Sequence, residues 1–219
     1  MEDGRVMIDI LYEDNHLLVV CKPINIPVQK DNTGDEDLLS ILKDYLKKKY
    51  GKPGNVYLGL VHRLDRPTSG IMVFAKTSKC AKRLSNQIAK RKFEKTYLAV
   101  IHGKIHFSGR FVDKIYKNHK TNTSFISSQG KEAILSYELL GYKNGLSLVK
   151  INLETGRSHQ IRVQFSSRGF PLYGDKRYNR LSKGQLALFA SRLKFYHPIS
   201  GEIMIFSLDM PSRYPFSLF

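Results

Sequence analysis

The chain has 219 residues, 42% of them hydrophobic, which is enough for one large domain or a compact two-lobed one with a sizeable core. Its 36 lysines and arginines exceed its 19 acidic residues and give a net charge of +17. Such an excess favours a polyanionic partner such as nucleic acid, the alternative being a basic surface without a specific partner. Two cysteines, Cys21 and Cys80, are too few for a disulfide framework or a tetrahedral zinc site.

The start of the chain shows no pattern typical of export or membrane insertion. Residues 1–10, MEDGRVMIDI, lack a basic segment followed by an apolar one, which argues against a secretory signal peptide. The apolar run 17–21 is far too short to cross a bilayer. The sequence therefore predicts a cytoplasmic protein with reduced thiols.

The first half of the chain predicts short strands and two helices. Segment 16–23, HLLVVCKP, is typical of a buried strand that a proline ends. Segment 35–52 predicts an amphipathic helix with a lysine-rich end. The runs LGLV and IMVFAK predict strands on either side of HRLDRPTSG, and a second helix over 77–91 is expected to begin at Thr77 or Ser78.

The second half predicts mainly strands. One is expected over 95–103, and the basic stretch 113–133 lacks a clear period, which indicates a loop or an irregular hairpin. The run ILSYELLGYKNGLSLVKINL is the strongest hairpin signal, because Asn144 and Gly145 suit the positive φ angles of a type I′ turn.

The last third adds a short helix and two strands. The helix is expected within 158–169, capped by Ser158 and ended by Gly169. LALFASRLKF and EIMIFSLDM then predict strands joined by the turn YHPISG. Strands dominate and hairpins outnumber crossovers, so the fold class is α+β with a largely antiparallel sheet. Without an internal repeat or an obvious linker, residues 1–219 are expected to form one continuous domain.

Three places could carry chemistry, and each has a purely structural alternative. Asp65 in HRLDRPTSG is either a surface ion pair or a reactive group held between strands. Tyr97 in EKTYLAV is either a packed aromatic or an active-site group. Segment 155–163, TGRSHQIRV, is either a capped helix start with exposed arginines or a helix N-terminus that meets a phosphate. His62 and His159 are expected to be structural hydrogen-bond partners.

The combination of motifs is more specific than any one of them. HRLDRPTSGIMVFAKT, EKTYLAVIHG, LETGRSHQIRVQF, FPLYGDKRY and LALFASRLKFYHPISGE occur in an order that resembles the RluA-type family of RNA pseudouridine synthases. The resemblance covers nearly the whole chain. HRLDxxTSG together with TGRxHQIR is highly specific, whereas either motif alone is moderately so.

The resemblance implies a fold and an activity. The fold is that of the pseudouridine synthases, α+β with flanking helices and an active cleft across a largely antiparallel central sheet. The reaction converts uridine in ribosomal or transfer RNA to pseudouridine without a metal or an organic cofactor. The family pattern begins by about residue 8, so a single catalytic domain over 1–219 is expected, with no separate N-terminal RNA-binding domain and no partner subunit.

The resemblance also implies roles for particular residues. Asp65 corresponds to the essential catalytic aspartate, Arg162 to its basic partner, and Tyr97 to the tyrosine that lies against the target base. Arg63 corresponds to the residue that fills the gap when the uridine leaves the stack, which offsets part of the cost of flipping it. Three more residues are expected to bind the substrate: Thr68, Arg157 and His159.

Two rival functions belong to other classes. A catalytically silent RNA-binding module would use the same basic surface, but Asp65, Tyr97 and Arg162 are all present. A glycoside hydrolase needs paired carboxylates, and the motif of Asp65 holds no second acid. For phosphate contacts the sequence offers exposed-looking basic residues: Lys47, Lys48, Lys49, Arg91, Lys92, Lys114, Lys117 and Lys120.

Overall fold

A computed structural model describes residues 7–31 and 33–219. They form two compact units. The first holds the described residues up to Phe93 together with Leu193–Ser207, and the second holds Glu94–Arg192 and Leu208–Phe219. Residues 1–6, part of the segment that argues against a signal peptide, lie outside the described residues. A single catalytic domain over 1–219 stays a prediction.

Strands and helices follow one another along the described residues in an order close to the predicted one. They are β1 (Asp9–Glu13), β2 (Leu17–Lys22), α1 (Leu38–Lys49), β3 (Gly59–Leu60), β4 (Ser69–Ala75), α2 (Ser78–Ala89), β5 (Glu94–His102), β6 (Ser108–Asn118), β7 (Thr123–Ile126), β8 (Lys131–Lys143), β9 (Leu146–Leu153), α3 (Gln160–Ser166), β10 (Leu188–Tyr196), β11 (Ile203–Ser207) and a 3-10 turn (Phe216–Leu218). None of these helices is long and apolar enough to cross a membrane.

The first unit is built on two buried strands. β2 pairs antiparallel with both β1 and β4, and β3 also pairs with β4. Every residue of β4 is buried, as is most of β2, which explains why both read as nearly continuous apolar runs. Helix α2 begins as predicted at Thr77, whose side chain accepts the amide of Cys80. Helix α1 lies within the predicted segment 35–52 but begins after Asp37, whose side chain accepts the amide of Ser40.

Glu13 connects the end of β1 to the end of α1. Its carboxylate accepts hydrogen bonds from the hydroxyls of Tyr45 (2.9 Å) and Tyr50 (2.6 Å) and from the ammonium groups of Lys49 and Lys76, both at 2.8 Å. Burial acts to raise the pKa of Glu13, but these four donors outweigh it and lower the pKa to about 2. The ionised form of Glu13 therefore stabilises the folded state.

We expect Glu13→Gln to make the first unit less stable at neutral pH and to remove part of its acid sensitivity. Because the folded pKa of Glu13 is depressed, its contribution is present above the unfolded pKa of about 4.5 and is lost as the pH falls towards about 2. The loss at neutral pH should be on the order of 2 kcal/mol. Urea unfolding of both proteins across this range measures it, with the exposed Glu36→Gln as a control. A stability difference that does not shrink at low pH would contradict the prediction.

The second unit contains antiparallel strands in the order β5-β9-β8-β6-β7. The hairpin between β8 and β9 turns at Asn144 (φ 53°) and Gly145 (φ 75°), which confirms the predicted turn. The stretch 113–133 forms a regular hairpin of β6 and β7 that leads into β8. The alternation of polar and apolar residues along this hairpin was obscured in the sequence because aromatic side chains occupy its exposed face.

Helix α3 is short and almost fully buried. The prediction that Ser158 caps it was wrong. The helix begins after His159, whose backbone is left-handed (φ 54°) and whose side chain makes no capping bond. Instead, the side-chain oxygen of Gln160 accepts the amide of Arg157 (3.0 Å) and the hydroxyl of Thr155 (2.8 Å). The helix ends before Gly169, which has the expected positive φ of 81°.

Candidate active site

Asp65 lies in the loop between β3 and β4. The amide of Thr68 donates to the carbonyl of Asp65 (3.0 Å), which closes a turn with Arg66 and Pro67 at its centre. Leu64 and Thr68 are buried and fix the loop to the unit, whereas Asp65 itself is half-buried. The loop therefore has a fixed backbone and keeps its carboxylate near the surface.

Lys22, at the end of β2, anchors this loop. Sequence analysis did not identify this lysine. Its side chain is fully buried. The ammonium donates to the carbonyls of Pro23 (2.8 Å), Arg66 (3.0 Å) and Thr68 (2.8 Å), so it anchors the backbone on the C-terminal side of Asp65. Burial lowers the pKa of Lys22 to about 8, although the carboxylate of Asp65 acts in the opposite direction. The sequence signal was only a lysine directly after an apolar run.

We expect Lys22→Met to lower the turnover number at least about tenfold, because a reacting group displaced by a fraction of an ångström loses much of its rate. Three buried carbonyls lose a donor, so the free energy of unfolding should also fall, by about 1–3 kcal/mol. RNA affinity should stay within about twofold, since surface cations dominate it. Single-turnover kinetics and binding assays measure both quantities, with the exposed Lys30→Met as a control. Unchanged turnover would mean that the anchor does not position Asp65.

The arginines of the motif differ in their surroundings. The guanidinium of Arg66 donates to Asp35 and to the carbonyl of Asn25 (3.1 Å), so its charge serves a surface ion pair. Arg63 is exposed. The ring of His62 accepts the amide of Val73 through Nε2 (3.1 Å), a structural hydrogen bond of the kind that was predicted.

Tyr97 is buried on β5 in the second unit. It lies opposite Ile151 of β9, and Lys95 precedes it by two residues on the same face of the strand. Burial, assisted by the charge of Arg157, lowers the pKa of Lys95 to about 8. Tyr97 therefore lies in a basic part of the second unit, and its active-site role stays a prediction.

Arg162 forms a buried ion pair with Asp175. Its Nε lies 2.9 Å from Oδ2 and its Nη2 2.7 Å from Oδ1, a fork that sets the plane of the guanidinium. Oδ1 of Asp175 also accepts the amides of Arg177 (3.2 Å) and Tyr178 (3.3 Å). Asp175, in FPLYGDKRY, was not singled out from the sequence. Its role is to hold Arg162 in one orientation.

Arg157 and His159 make structural contacts in the turn before α3. Nε of Arg157 donates to the carbonyl of Glu132 (2.7 Å). The backbone amide of Arg157 donates to the side-chain oxygen of Gln160. Nδ1 of His159 lies 2.7 Å from the hydroxyl of Tyr178. With seven residues, α3 is too short for a helix-terminal phosphate site, and any phosphate contact here depends on side chains.

The structure thus places the predicted residues in two groups. The first unit carries Arg63, Asp65 and Thr68 in one loop, while the second carries the remaining four: Tyr97, Arg157, His159 and Arg162. The pairing of Asp65 with Arg162 stays a prediction. Among the described residues, no group of three or more His, Cys, Asp or Glu side chains could hold a metal ion.

Comparison with known proteins connects these residues to one class. Residues 16–167, which include Asp65, Tyr97 and Arg162, match the family described as RNA pseudouridylate synthase. The uncharacterized RNA pseudouridine synthase YhcT of Bacillus subtilis is 35% identical over 94% of this chain and 69% of its own length. The ribosomal large subunit pseudouridine synthase D of Zymomonas mobilis is 33% identical over 96% of this chain and 71% of its own.

A solved structure agrees with this assignment. The human RNA pseudouridylate synthase domain containing 4 has a TM-score of 0.80 and 25% identity, and the match covers 96% of this chain and 91% of that one. Fold and site motifs therefore define an RNA-modifying isomerase. The chain belongs to the RNA pseudouridylate synthase family, whose members convert uridine in RNA to pseudouridine. The predicted family, fold class and enzymatic activity are confirmed.

Proposed function

We propose that this enzyme isomerises specific uridines in structured ribosomal or transfer RNA, with Asp65 as the catalytic group. The carboxylate is presented by a loop whose backbone is bound at two carbonyls, those of Arg66 and Thr68, by the buried Lys22, and this observation carries the proposal. A reactive group on a rigid scaffold is held in the geometry that its reaction needs. The relative from Zymomonas mobilis bears the name of a ribosomal large subunit synthase, which supports ribosomal RNA as a substrate.

The reaction breaks the glycosidic bond between N1 of uracil and C1′ of ribose and forms a bond from C5 to the same C1′. The proton on C5 is lost, N1 gains one, and no atom is oxidised or reduced. Asp65 starts this either by adding to the sugar or by removing a ribose proton. Both routes need an ionised carboxylate. We propose that Arg162 keeps the carboxylate of Asp65 ionised. The guanidinium of Arg162 is oriented by Asp175.

The other site residues receive substrate roles in this proposal. Tyr97 lies against the target base, and the exposed Arg63 fills the gap that the flipped nucleotide leaves in the RNA. Thr68, Arg157 and His159 contact the nucleotide and its phosphates. Side chains supply every charge and proton the isomerisation needs, so we propose no metal and no cofactor. We further propose that the enzyme acts as a monomer in the cytoplasm.

Tyr97→Phe removes the hydroxyl and should lower the single-turnover rate at least about tenfold, because a general acid or base contributes more than that. The ring that lies against the base remains, so RNA affinity should change less than about twofold. Tyr137→Phe, which removes the hydroxyl of another buried tyrosine in the same unit, is the matched control. Unchanged turnover in Tyr97→Phe would mean that Tyr97 only stacks against the base.

The decisive experiment is a map of pseudouridines in RNA from cells with and without this protein. At least one uridine in ribosomal or transfer RNA should lose its modification. The wild-type chain should restore it and the Asp65→Asn chain should not. If every pseudouridine persists without the protein, the proposed substrates are wrong. If the Asp65→Asn chain restores the modification, Asp65 takes no part in the chemistry.

A further inference from the structure

Two aromatic rings stand together on the exposed face of the β6–β7 hairpin in the second unit. Tyr116 of β6 lies directly opposite Phe125 of β7 in the antiparallel register. Partners in such a register project to the same face of the sheet. The ring centroids are 5.5 Å apart, with 47° between the ring planes. Tyr116 is 43% exposed and Phe125 is 46% exposed, so the outer surfaces of both rings face solvent.

Three lysines lie near this pair of rings. Lys114 precedes Tyr116 by two residues on the same face. Lys117 is of the opposite alternation near the end of β6, and Lys120 lies in the turn at the tip of the hairpin. Among the described residues, none of the three lysines forms an ion pair. The acid on β6, Asp113, projects to the opposite face of the strand from Tyr116 and forms an ion pair with Arg168 (3.0 Å). One acid, Glu132 of β8, lies directly opposite Lys114 in the register, so the three lysines leave an excess of positive charge near the rings but not an unopposed one.

The tip of the hairpin is braced from within the same unit. Nη1 of Arg177 donates to the carbonyls of Thr121 (3.5 Å) and Asn122 (3.0 Å). The hydroxyl of Tyr178 accepts the amide of Ser124 (3.0 Å). These bonds fix the hairpin before any ligand arrives, so binding to the rings costs little conformational entropy.

Exposed rings flanked by lysines match the chemistry of unpaired RNA. Bases that are not stacked in a helix lie against aromatic side chains, while lysines contact the adjacent phosphates. A paired duplex hides the faces of its bases and offers only phosphates. A protein partner fits less well, because lysine is depleted at the core of protein interfaces. A cross-strand aromatic pair also stabilises a hairpin by itself, so a test has to separate binding from stability.

We propose that Tyr116 and Phe125 form a platform that stacks an unpaired base of the RNA, outside the nucleotide that is isomerised, while Lys114, Lys117 and Lys120 contact the phosphates beside it. This platform rests on the proposed function, since it assumes an RNA substrate. It adds a selection rule, because RNA that offers an unpaired nucleotide besides the target uridine is preferred over a continuous duplex.

The test compares two variants of the full chain. Tyr116→Leu with Phe125→Leu keeps an apolar contact between the strands but removes the aromatic faces. Binding is measured by anisotropy with a short unpaired RNA that carries 2-aminopurine and with a blunt RNA duplex. Affinity for the unpaired RNA should fall roughly five- to one-hundred-fold, with loss of 2-aminopurine quenching and an unchanged salt slope. Affinity for the duplex should stay within about twofold.

The second variant replaces Lys114, Lys117 and Lys120 by alanine. Each lost phosphate contact reduces the salt slope by about 0.7 on a single strand, so the slope should fall by about 2. Binding to unpaired and paired RNA should weaken alike, because phosphates position RNA without reading it. An unchanged salt slope in this variant would overturn the phosphate half of the proposal.

Controls keep the platform falsifiable. Tyr142→Leu removes another exposed ring (48% exposed) that has a lysine ammonium, Lys104, 5.6 Å from its centroid, and should leave affinity unchanged. An equal loss there, or no loss in the leucine pair, would overturn the platform. Unchanged RNA affinity with altered sedimentation would assign the rings to a protein contact instead. Should the pair of leucines unfold the hairpin, Tyr116→Leu alone serves the same comparison.

The binding readout needs no turnover, which separates this proposal from the proposed function. Adding both leucines to the Asp65→Asn chain should weaken unpaired RNA binding to the same degree as in the active enzyme. A chain that isomerises uridine but shows no effect of the leucines would refute the platform alone. A chain that shows the binding effect but modifies no RNA would refute the proposed function alone.

Discussion

Replacing Asp65 by asparagine is expected to lower the rate of pseudouridine formation at least about 1,000-fold, as the loss of a catalytic nucleophile or base does in other enzymes. Asparagine keeps the size of the side chain, and the turn closed by the amide of Thr68 uses only the carbonyl of residue 65. RNA affinity should therefore change less than about twofold, since backbone phosphates dominate it. Single-turnover rates and binding isotherms of the purified variant measure both effects.

Asp35→Asn is the matched control for this experiment. Asp35 pairs with the guanidinium of Arg66, one residue from Asp65 in the chain, and both side chains are well exposed. An exposed pair contributes little to stability, so this variant should retain nearly full turnover. If Asp65→Asn keeps a tenth or more of the wild-type rate, roughly the size of an indirect effect, then Asp65 is a structural ion-pair partner and the catalytic assignment is wrong.

Arg162→Met is expected to abolish turnover and to destabilise the fold. The side chains of Arg162 and Asp175 are almost completely buried. Removing the guanidinium leaves a buried carboxylate without its counter-charge, which costs about 3–5 kcal/mol of unfolding free energy. The loss of turnover has a different cause in our proposal, namely that Asp65 loses its basic partner. Urea unfolding and single-turnover assays are needed together.

A double variant separates these two effects. Arg162→Met combined with Asp175→Asn has no buried charge at this position, and the amide oxygen can still accept the amides of Arg177 and Tyr178. Its stability should recover by about 1–3 kcal/mol relative to Arg162→Met alone, while turnover should stay lost. Recovery of turnover along with stability would show that Arg162 is structural and that another cation serves Asp65.

The elements that were predicted correctly depend on local chemistry. The apolar run of β2, the capping side chain of Thr77, and the Asn144-Gly145 turn each act over a few neighbouring residues. Local propensity and hydrophobic period are sufficient to read such features. The family motifs likewise located the catalytic candidates because their residues are contiguous in the sequence.

The features that were missed depend on contacts between distant segments. Lys22 acquires its role from carbonyls 44 and 46 residues away, and Asp175 from an arginine 13 residues before it. Ser158 has the right chemistry for a cap, but His159 adopts a left-handed conformation, no side chain caps the helix, and Gln160 bonds to the turn before it. A pattern along the chain contains no information about such partners.

The buried ammonium of Lys22 has a consequence at alkaline pH. The folded pKa of Lys22, about 8, is below its ordinary value of 10.5, so the folded chain releases this proton first. Deprotonation between these values relieves the cost of a buried charge, and the contribution of Lys22 to stability rises with pH. A neutral amine has only two hydrogens, however, and one of the three carbonyls that Lys22 binds then loses its donor. Mild alkali should therefore lower the turnover of this enzyme while it is still folded, by no more than Lys22→Met does, and neutralisation should restore it without refolding.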